Sequence, residues 1–119
     1  YDPENITTEM IRTIYKEFIR EAIFDNISDE IPYESDVIID KIDEDAPVEH
    51  IRATIVVEKD SQKGIIIGKG GAAIKRIGKS AREKIERLAS KPVYLELFVS
   101  VKKGWTSDKQ FLSDLGYEW

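Results

Sequence analysis

Apolar residues recur every three or four positions along the first part of the chain. The members of this stripe are Ile11, Ile14, Tyr15, Phe18, Ile19, Ala22 and Ile23. Their spacing predicts an amphipathic helix of about four turns. The polar residues 1–8 precede this helix and are predicted to form a linker, in which Thr7 or Thr8 is the helix N-cap.

Three later segments alternate between apolar and polar residues, which is typical of strands. Residues 37–42 alternate irregularly, residues 51–57 alternate regularly, and residues 93–101 show the most regular alternation. The short acidic connection over residues 43–49 predicts that the first two strands form an antiparallel hairpin.

A second helical stripe lies between the last two strands and ends before Pro92. Its predicted buried members are Ile74, Ile77, Ala81, Ile85 and Leu88. Near the end of the chain, Ser107 and Gln110 have the spacing of a capping box, which predicts a short final helix. This order of elements indicates an α+β fold, a small three-stranded sheet covered by helices on one face.

Composition and charge change this picture in two ways. The 119 residues fit one domain, and the absence of cysteine excludes disulfide scaffolds and thiolate zinc sites. The net charge of −5 conceals a division, because residues 1–58 carry 5 basic and 16 acidic side chains whereas residues 59–103 carry 12 basic and 4 acidic ones. Since charges are screened within about 8–10 Å, the basic segment can hold an anion on an acidic protein. The same pattern also fits an ordinary solvated helix face.

The remaining polar residues suggest no catalytic or metal site. His50 is the only histidine, and no nucleophile or second acid is placed near it by the sequence, so we expect it to face solvent. An acidic cluster lacks the spacing of an EF-hand, and we expect it to form a solvated edge. Its members are Asp36, Asp40, Asp43, Glu44 and Asp45.

The least ordinary segment is glycine-rich and spans residues 60–71, with the sequence DSQKGIIIGKGG. Glycine lets the backbone approach a ligand closely, and the amino end of the helix that follows favours an anion. Lys63, Lys69, Lys75 and Arg76 flank the segment. We therefore predict that it contacts phosphate.

Four interpretations of this glycine-rich segment are possible, and three of them do not involve RNA. A P-loop would use residues 73–80, but alanine replaces its first glycine and the stretch lies inside the helical stripe. A dinucleotide fingerprint fits residues 68–73, but it lacks a clear preceding strand and the acidic residue about 20 positions later. A purely structural turn would not need four glycines.

The fourth interpretation is a clamp for single-stranded RNA, because the segment resembles the K-homology (KH) family. Ile67-Gly68-Lys69-Gly70-Gly71, followed by Ile74 and Ile77, is similar to the family pattern I-G-x-x-G-x-x-I-x-x-I. In that family the G-x-x-G turn joins two helices and clamps about four nucleotides. The resemblance implies a short helix over residues 61–67, which periodicity alone leaves open to a strand. It also implies the type II order α-β-β-α-α-β, followed here by a short C-terminal helix.

Longer strings resemble the KH domain of the Era family of bacterial GTPases. These are residues 50–55, 58–71, 93–105 and 111–117, with similar short strings at 18–22 and 30–33. The resemblance implies that residues 1–8 are the remnant of an interdomain linker and that residues 9–119 are the KH domain. It further implies that an N-terminal GTPase domain, which would hold GTP and Mg²⁺, is absent from this chain. The chain itself is then expected to be no enzyme and to hold no cofactor.

The resemblance also implies the partners and the place of action. The expected target is the single-stranded 3′ end of small-subunit ribosomal RNA, and the expected role is maturation of the small ribosomal subunit. Further partners are that subunit and the chain's own GTPase domain, with no DNA. The expected location is the cytoplasm, and any membrane association would be peripheral.

We predict a binding site in which three groups of residues have different roles. The backbone of residues 68–71 contacts phosphates, basic side chains neutralise neighbouring phosphates, and isoleucines with a residue of the adjacent strand form an apolar floor for bases. The predicted residues are Gly68, Lys69, Gly70 and Gly71; Lys63, Lys75, Arg76 and Lys79; and Ile66 and Ile67 with Ile55 or Val57. A KH module of another ribosome-associated or RNA-processing factor, a nucleotide-binding domain and a protein-interaction domain remain open as alternatives.

Overall fold

The computed structural model describes residues 8–27, 35–44 and 47–104. The predicted linker, except for Thr8, and the predicted final helix lie outside the described residues. The elements in chain order are α1 (Thr8–Asn26), β1 (Asp36–Asp43), β2 (Glu49–Val57), α2 (Asp60–Ile67), a short 3₁₀ turn (Lys69–Gly71), α3 (Ala72–Ala89) and β3 (Val93–Val101). No helix in these ranges is long and apolar enough to cross a membrane.

The sheet has β2 at its centre and the other two strands at its edges. β1 pairs antiparallel with β2, which confirms the predicted hairpin, and β2 pairs parallel with β3. The register of β1 shifts between Ile39 and Lys41. This irregularity accounts for the uneven apolar pattern of the first strand, because an extra residue moves the following side chains to the other face.

The segment that periodicity could not assign is the helix α2. Three consecutive isoleucines and a glycine give no helical stripe, yet residues 60–67 are helical as the family resemblance implied. The side-chain oxygen of Gln62 accepts the backbone amides of Glu58 and Lys59 at 3.0 and 2.9 Å. Gln62 thus ties the start of α2 to the end of β2 and satisfies two amides that immediately precede the helix.

The helices pack on one face of the sheet and form the core with it. From α1 the core takes Tyr15, Ile19, Ala22, Ile23 and Ile27, and from α3 it takes Ala73, Ile77, Ala81 and Ile85. Lys84 of α3 pairs with Glu21 and Asp25 of α1 at 3.6 and 3.2 Å, which joins the two helices at the surface. The predicted α+β fold and its type II order are confirmed.

Two expectations about burial are wrong. Leu88 was predicted to belong to the buried stripe of α3, but it lies in the last turn of the helix and is 52% exposed. Asp36 was predicted to lie on a solvated edge, but its side chain is fully buried. Its Oδ1 atom accepts the amide of Val37 at 2.8 Å and lies 3.4 and 3.3 Å from the charged groups of Lys16 and Arg20. The ion pairs with α1 offset the cost of burying this carboxylate.

Candidate nucleic-acid interface

A tight turn of glycines joins α2 to α3. Gly68, Gly70 and Gly71 have φ angles of 77°, 62° and 79°. The amide of Gly68 donates to the carbonyl of Gly64 at 2.9 Å, and the amide of Gly71 donates to the carbonyl of Gly68 at 3.1 Å. These bonds close the turn and leave Lys69 and Gly70 exposed at its tip.

The three glycines of the turn serve different purposes. A Cβ atom on Gly68 would lie 2.7 Å from both the backbone nitrogen and the Cβ of Ala73, so this position has no room for a side chain. A Cβ atom on Gly70 or Gly71 would meet nothing within 4 Å. The backbone of these two residues is therefore open to a ligand, beside the amino end of α3 where the helix dipole is positive.

The predicted basic side chains lie on this turn and on the two helices that it joins. Lys69 is exposed on the turn, Lys75, Arg76 and Lys79 are exposed on α3, and Lys63 is half-buried on α2. No ion pair among the described residues involves any of these five side chains. Their positive charge is thus not neutralised by the described carboxylates and can act on an external anion.

A groove of about 420 Å³ runs between α3 and the edge strand β3, next to the turn. Lys75, Lys79 and Arg82 line its helical wall, and their spacing of four and three residues places them on one face of α3. The guanidinium of Arg82 lies 3.2 Å from Glu86 Oε1, while Glu86 Oε2 accepts the amide of Val93 at 2.9 Å. On this wall, Lys75 and Lys79 near the turn have no ion pair with a described residue, whereas Arg82 at the far end is paired with Glu86.

Apolar and aromatic residues outside the predicted RNA site line the rest of the groove. Ile74 from α3 and Leu95 and Leu97 from β3 are half-buried there, and Tyr94 is 53% exposed. Gly78 also lines the groove, and a Cβ atom at this position would lie 3.7 Å from Leu97 Cδ1. A glycine inside a helix is the signal that marks this groove in the sequence, because it often indicates a packing or functional requirement.

The predicted apolar floor lies mostly beneath the surface. Ile55, Val57 and Ile66 have no exposed area and belong to the hydrophobic core, whereas Ile67 is half-buried. In the structure these three buried side chains belong to the core between the helices and the sheet. Contact of these four residues with RNA stays a prediction.

The nucleotide-binding interpretations lack the local structure that they require. Both need a strand before the glycine-rich loop, but here the loop follows the helix α2. The P-loop-like residues 73–80 lie inside α3. His50 is exposed as expected, with its ring 5.4 Å from the ring of Tyr94, and no cluster of metal-ligating side chains occurs among the described residues.

Comparison with known sequences identifies a family and a set of longer relatives. A family model described as KH domain matches residues 18–106. GTPase Era of Campylobacter lari is 52% identical over 118 residues, which are 99% of this chain and 41% of the relative. GTPase Era of Helicobacter pylori is 50% identical over 117 residues, which are 98% of this chain and 39% of the relative. The chain thus spans about two fifths of the length of these curated relatives.

Solved structures with the same fold come from the same group of proteins. A crystal structure of a variant of Aquifex aeolicus Era bound to GDP.AlF4− matches 92% of this chain and 37% of its own, with a TM-score of 0.86 and 35% identity. A crystal structure of Era in complex with MgGDPNP and nucleotides 1506–1542 of 16S ribosomal RNA matches 100% of this chain and 41% of its own. Its TM-score is 0.89 and its identity is 33%.

Proposed function

Because the chain belongs to the KH domain family and resembles GTPase Era over nearly all of its length, we propose that it is the RNA-binding module of an Era-type GTPase. Its target is the single-stranded 3′ end of small-subunit ribosomal RNA, and its role is to support maturation of the small ribosomal subunit. The complex of a similar protein with a 16S ribosomal RNA segment supports this choice of target.

The glycine turn is the observation that carries the proposal. Gly70 and Gly71 expose bare backbone beside the amino end of α3, and Lys69 stands exposed next to them. A phosphate group can approach such a backbone without steric conflict, and the positive end of the helix dipole and the ammonium group of Lys69 favour its charge. These contacts position the strand without selecting its sequence.

The groove beside the turn is suited to the bases. Lys75 and Lys79 lie on its wall and attract the neighbouring phosphates, while Ile74, Leu95 and Leu97 offer apolar surface to unstacked bases. Polar groups at the edges of such a groove can then distinguish one base from another. Arg76 lies on α3 outside this groove and, with Lys63, acts on phosphates farther along the strand.

The remaining chemistry belongs to the part of the protein that the chain does not span. We assign binding of GTP and Mg²⁺, and GTP hydrolysis, to a separate domain before residue 9, with residues 1–8 as the connection. The chain itself then acts by binding, in the cytoplasm and on the small ribosomal subunit. We expect no DNA target, and any contact with a membrane would be peripheral.

A fluorescence anisotropy titration tests the proposal at about 0.1 M salt. The ligand is a short RNA copying the 3′ end of small-subunit ribosomal RNA, with a scrambled RNA for comparison. We expect tighter binding of the true sequence and a log–log salt slope of about −0.7 per phosphate contact. Equal binding of both RNAs would favour a KH module of another factor, and a flat salt response would refute the phosphate clamp.

A matched pair of double variants separates the turn from general charge effects. Lys69→Asp with Gly70→Asp should abolish RNA binding. Lys103→Asp with Gly104→Asp makes the same charge change at another exposed Lys-Gly pair, where the glycine also has positive φ (72°) and open space around its Cβ position. This control should keep most of the affinity. Equal loss in both double variants would show that the turn is not the site.

A further inference from the structure

A second cavity, of about 370 Å³, lies between the amino-terminal part of α1 and the carboxyl end of α3. Ile11, Ile14, Leu88 and Ala89 form its apolar walls. Leu88 is 52% exposed, and Met10, the neighbour of Ile11, is 37% exposed. The cavity is thus an apolar depression at the opposite end of α3 from the glycine turn.

A buried carboxylate also lines this cavity. Glu49 is 2% exposed, and its Oε1 atom accepts a hydrogen bond from the hydroxyl of Tyr15 at 2.8 Å. In the part of the chain that the structure describes, no ion pair involves Glu49. A neutral hydroxyl satisfies one lone pair but leaves the charge uncompensated, which is costly in an apolar setting.

Among the described residues that line the cavity, the one ammonium group is directed elsewhere. Lys91 lines the cavity, but its Nζ atom donates to the backbone carbonyl of Glu44 at 2.6 Å. Glu44 lines the cavity as well, so the described part of the lining holds two acidic residues and one lysine. The cavity therefore combines apolar walls with a negative charge that a guest could neutralise.

We propose that this cavity is a docking site for a partner protein that inserts an arginine side chain. The long stem of arginine suits the walls formed by Ile14 and Leu88, and its guanidinium can donate two parallel hydrogen bonds to the carboxylate of Glu49. Arginine is also less strongly hydrated than lysine, which lowers the cost of placing it here. The phosphates of RNA would be repelled by the same carboxylates, so the partner is a protein.

Methyl NMR of the 119-residue chain tests the proposal with acetyl-Leu-Arg-Leu-amide as the probe. The control peptide carries citrulline, which has the shape of arginine without its charge. We expect saturable shifts of the Ile14 and Leu88 methyl signals and about tenfold weaker binding of the citrulline peptide. Glu49→Gln should reduce the affinity for the arginine peptide to that of the control, while Glu83→Gln, which neutralises an exposed carboxylate on α3, should leave it unchanged.

Several outcomes would overturn the proposal. Equal affinity for the two peptides, or unchanged affinity in Glu49→Gln, would show that the carboxylate selects nothing. If Glu49→Gln fails to fold, Leu88→Ser provides the test at a half-exposed position, and several-fold weaker binding is expected because an apolar wall is lost. Shifts of the same methyl signals by a short RNA, with none by the peptide, would assign the cavity to nucleic acid instead.

Discussion

Replacing Gly68 by alanine should damage both the stability of the domain and the geometry of its turn. Gly68 combines φ of 77° with ψ of 172°, a region that is almost exclusive to glycine and costs other residues about 1–3 kcal/mol. The added Cβ would also lie 2.7 Å from the backbone nitrogen and the Cβ of Ala73 at the start of α3. Neither atom can move away without shifting the helix.

The magnitude follows from comparison with Gly70, which lies two residues along the same turn. Its φ of 62° and ψ of 19° are left-handed helical values that cost alanine about 1–2 kcal/mol, and its Cβ position is open. Alanine also lowers the entropy of the unfolded chain, which returns about 0.4–1 kcal/mol at either position. We therefore expect Gly70→Ala to cost about 1 kcal/mol and Gly68→Ala at least about 2 kcal/mol.

Urea denaturation followed by circular dichroism measures this difference directly. With a slope of about 1–3 kcal/mol per molar urea, the midpoint of Gly68→Ala should lie about 0.3–1 M below that of Gly70→Ala. RNA affinity should fall more in Gly68→Ala, because the turn must reorganise before it can hold phosphate. Equal urea midpoints for the two variants would refute the steric argument and show that Ala73 can shift without loss of stability.

Three further changes test the other parts of the structure. Gly78→Ala should raise the free energy of unfolding by about 0.5–1 kcal/mol in urea titrations. The same change should weaken RNA binding in anisotropy titrations, because the added methyl group occupies the groove beside Leu97. Unchanged RNA affinity would contradict this prediction. Gln62→Leu should lower the free energy of unfolding by about 1–3 kcal/mol, since the amides of Glu58 and Lys59 lose their acceptor. An unchanged free energy of unfolding would contradict the role of Gln62 at the start of α2. The pKa of Tyr15 is raised by burial, by its hydrogen bond to Glu49 and by the nearby carboxylates. Because the protonated form is favoured in the folded state, its contribution to stability is present below about pH 10 and is lost at higher pH. Above that pH the free energy of unfolding should fall more steeply in the parent than in Tyr15→Phe, and parallel pH profiles would contradict this.

The elements with a clear period were predictable from the sequence, and α2 was not. The spacing in α1 and the alternation in β3 each repeat over several residues, so one buried face is evident. In α2 the three isoleucines are adjacent, and only Ile66 is fully buried. The helix depends on its tertiary setting and on Gln62, whose side chain reaches back to the end of β2. A single glutamine of this kind carries little weight in a pattern of apolar positions.

The part of the candidate site that is contiguous in sequence was predictable, and the part that residues from distant segments form together was not. The turn and its lysines are neighbours in sequence, and the structure brings them together. The apolar part was sought in the nearest isoleucines, but Ile66 and Ile55 are core residues. The accessible apolar surface includes Leu95 and Leu97 of β3, which line the candidate groove only because β3 pairs parallel with β2 and lies at the sheet edge beside α3. Strand pairing of that kind is not encoded in a local pattern.

The position of α3 explains how an acidic chain can present the surface that we propose for RNA binding. Its 18 residues extend about 27 Å, roughly three times the screening length at physiological salt. The glycine turn with Lys69 and Lys75 lies at its amino end, and the cavity with Glu44 and Glu49 lies at its carboxyl end. At this separation the carboxylates hardly reduce the attraction that a phosphate experiences at the turn. The net charge of −5 therefore says little about either surface, because each responds to its own charges.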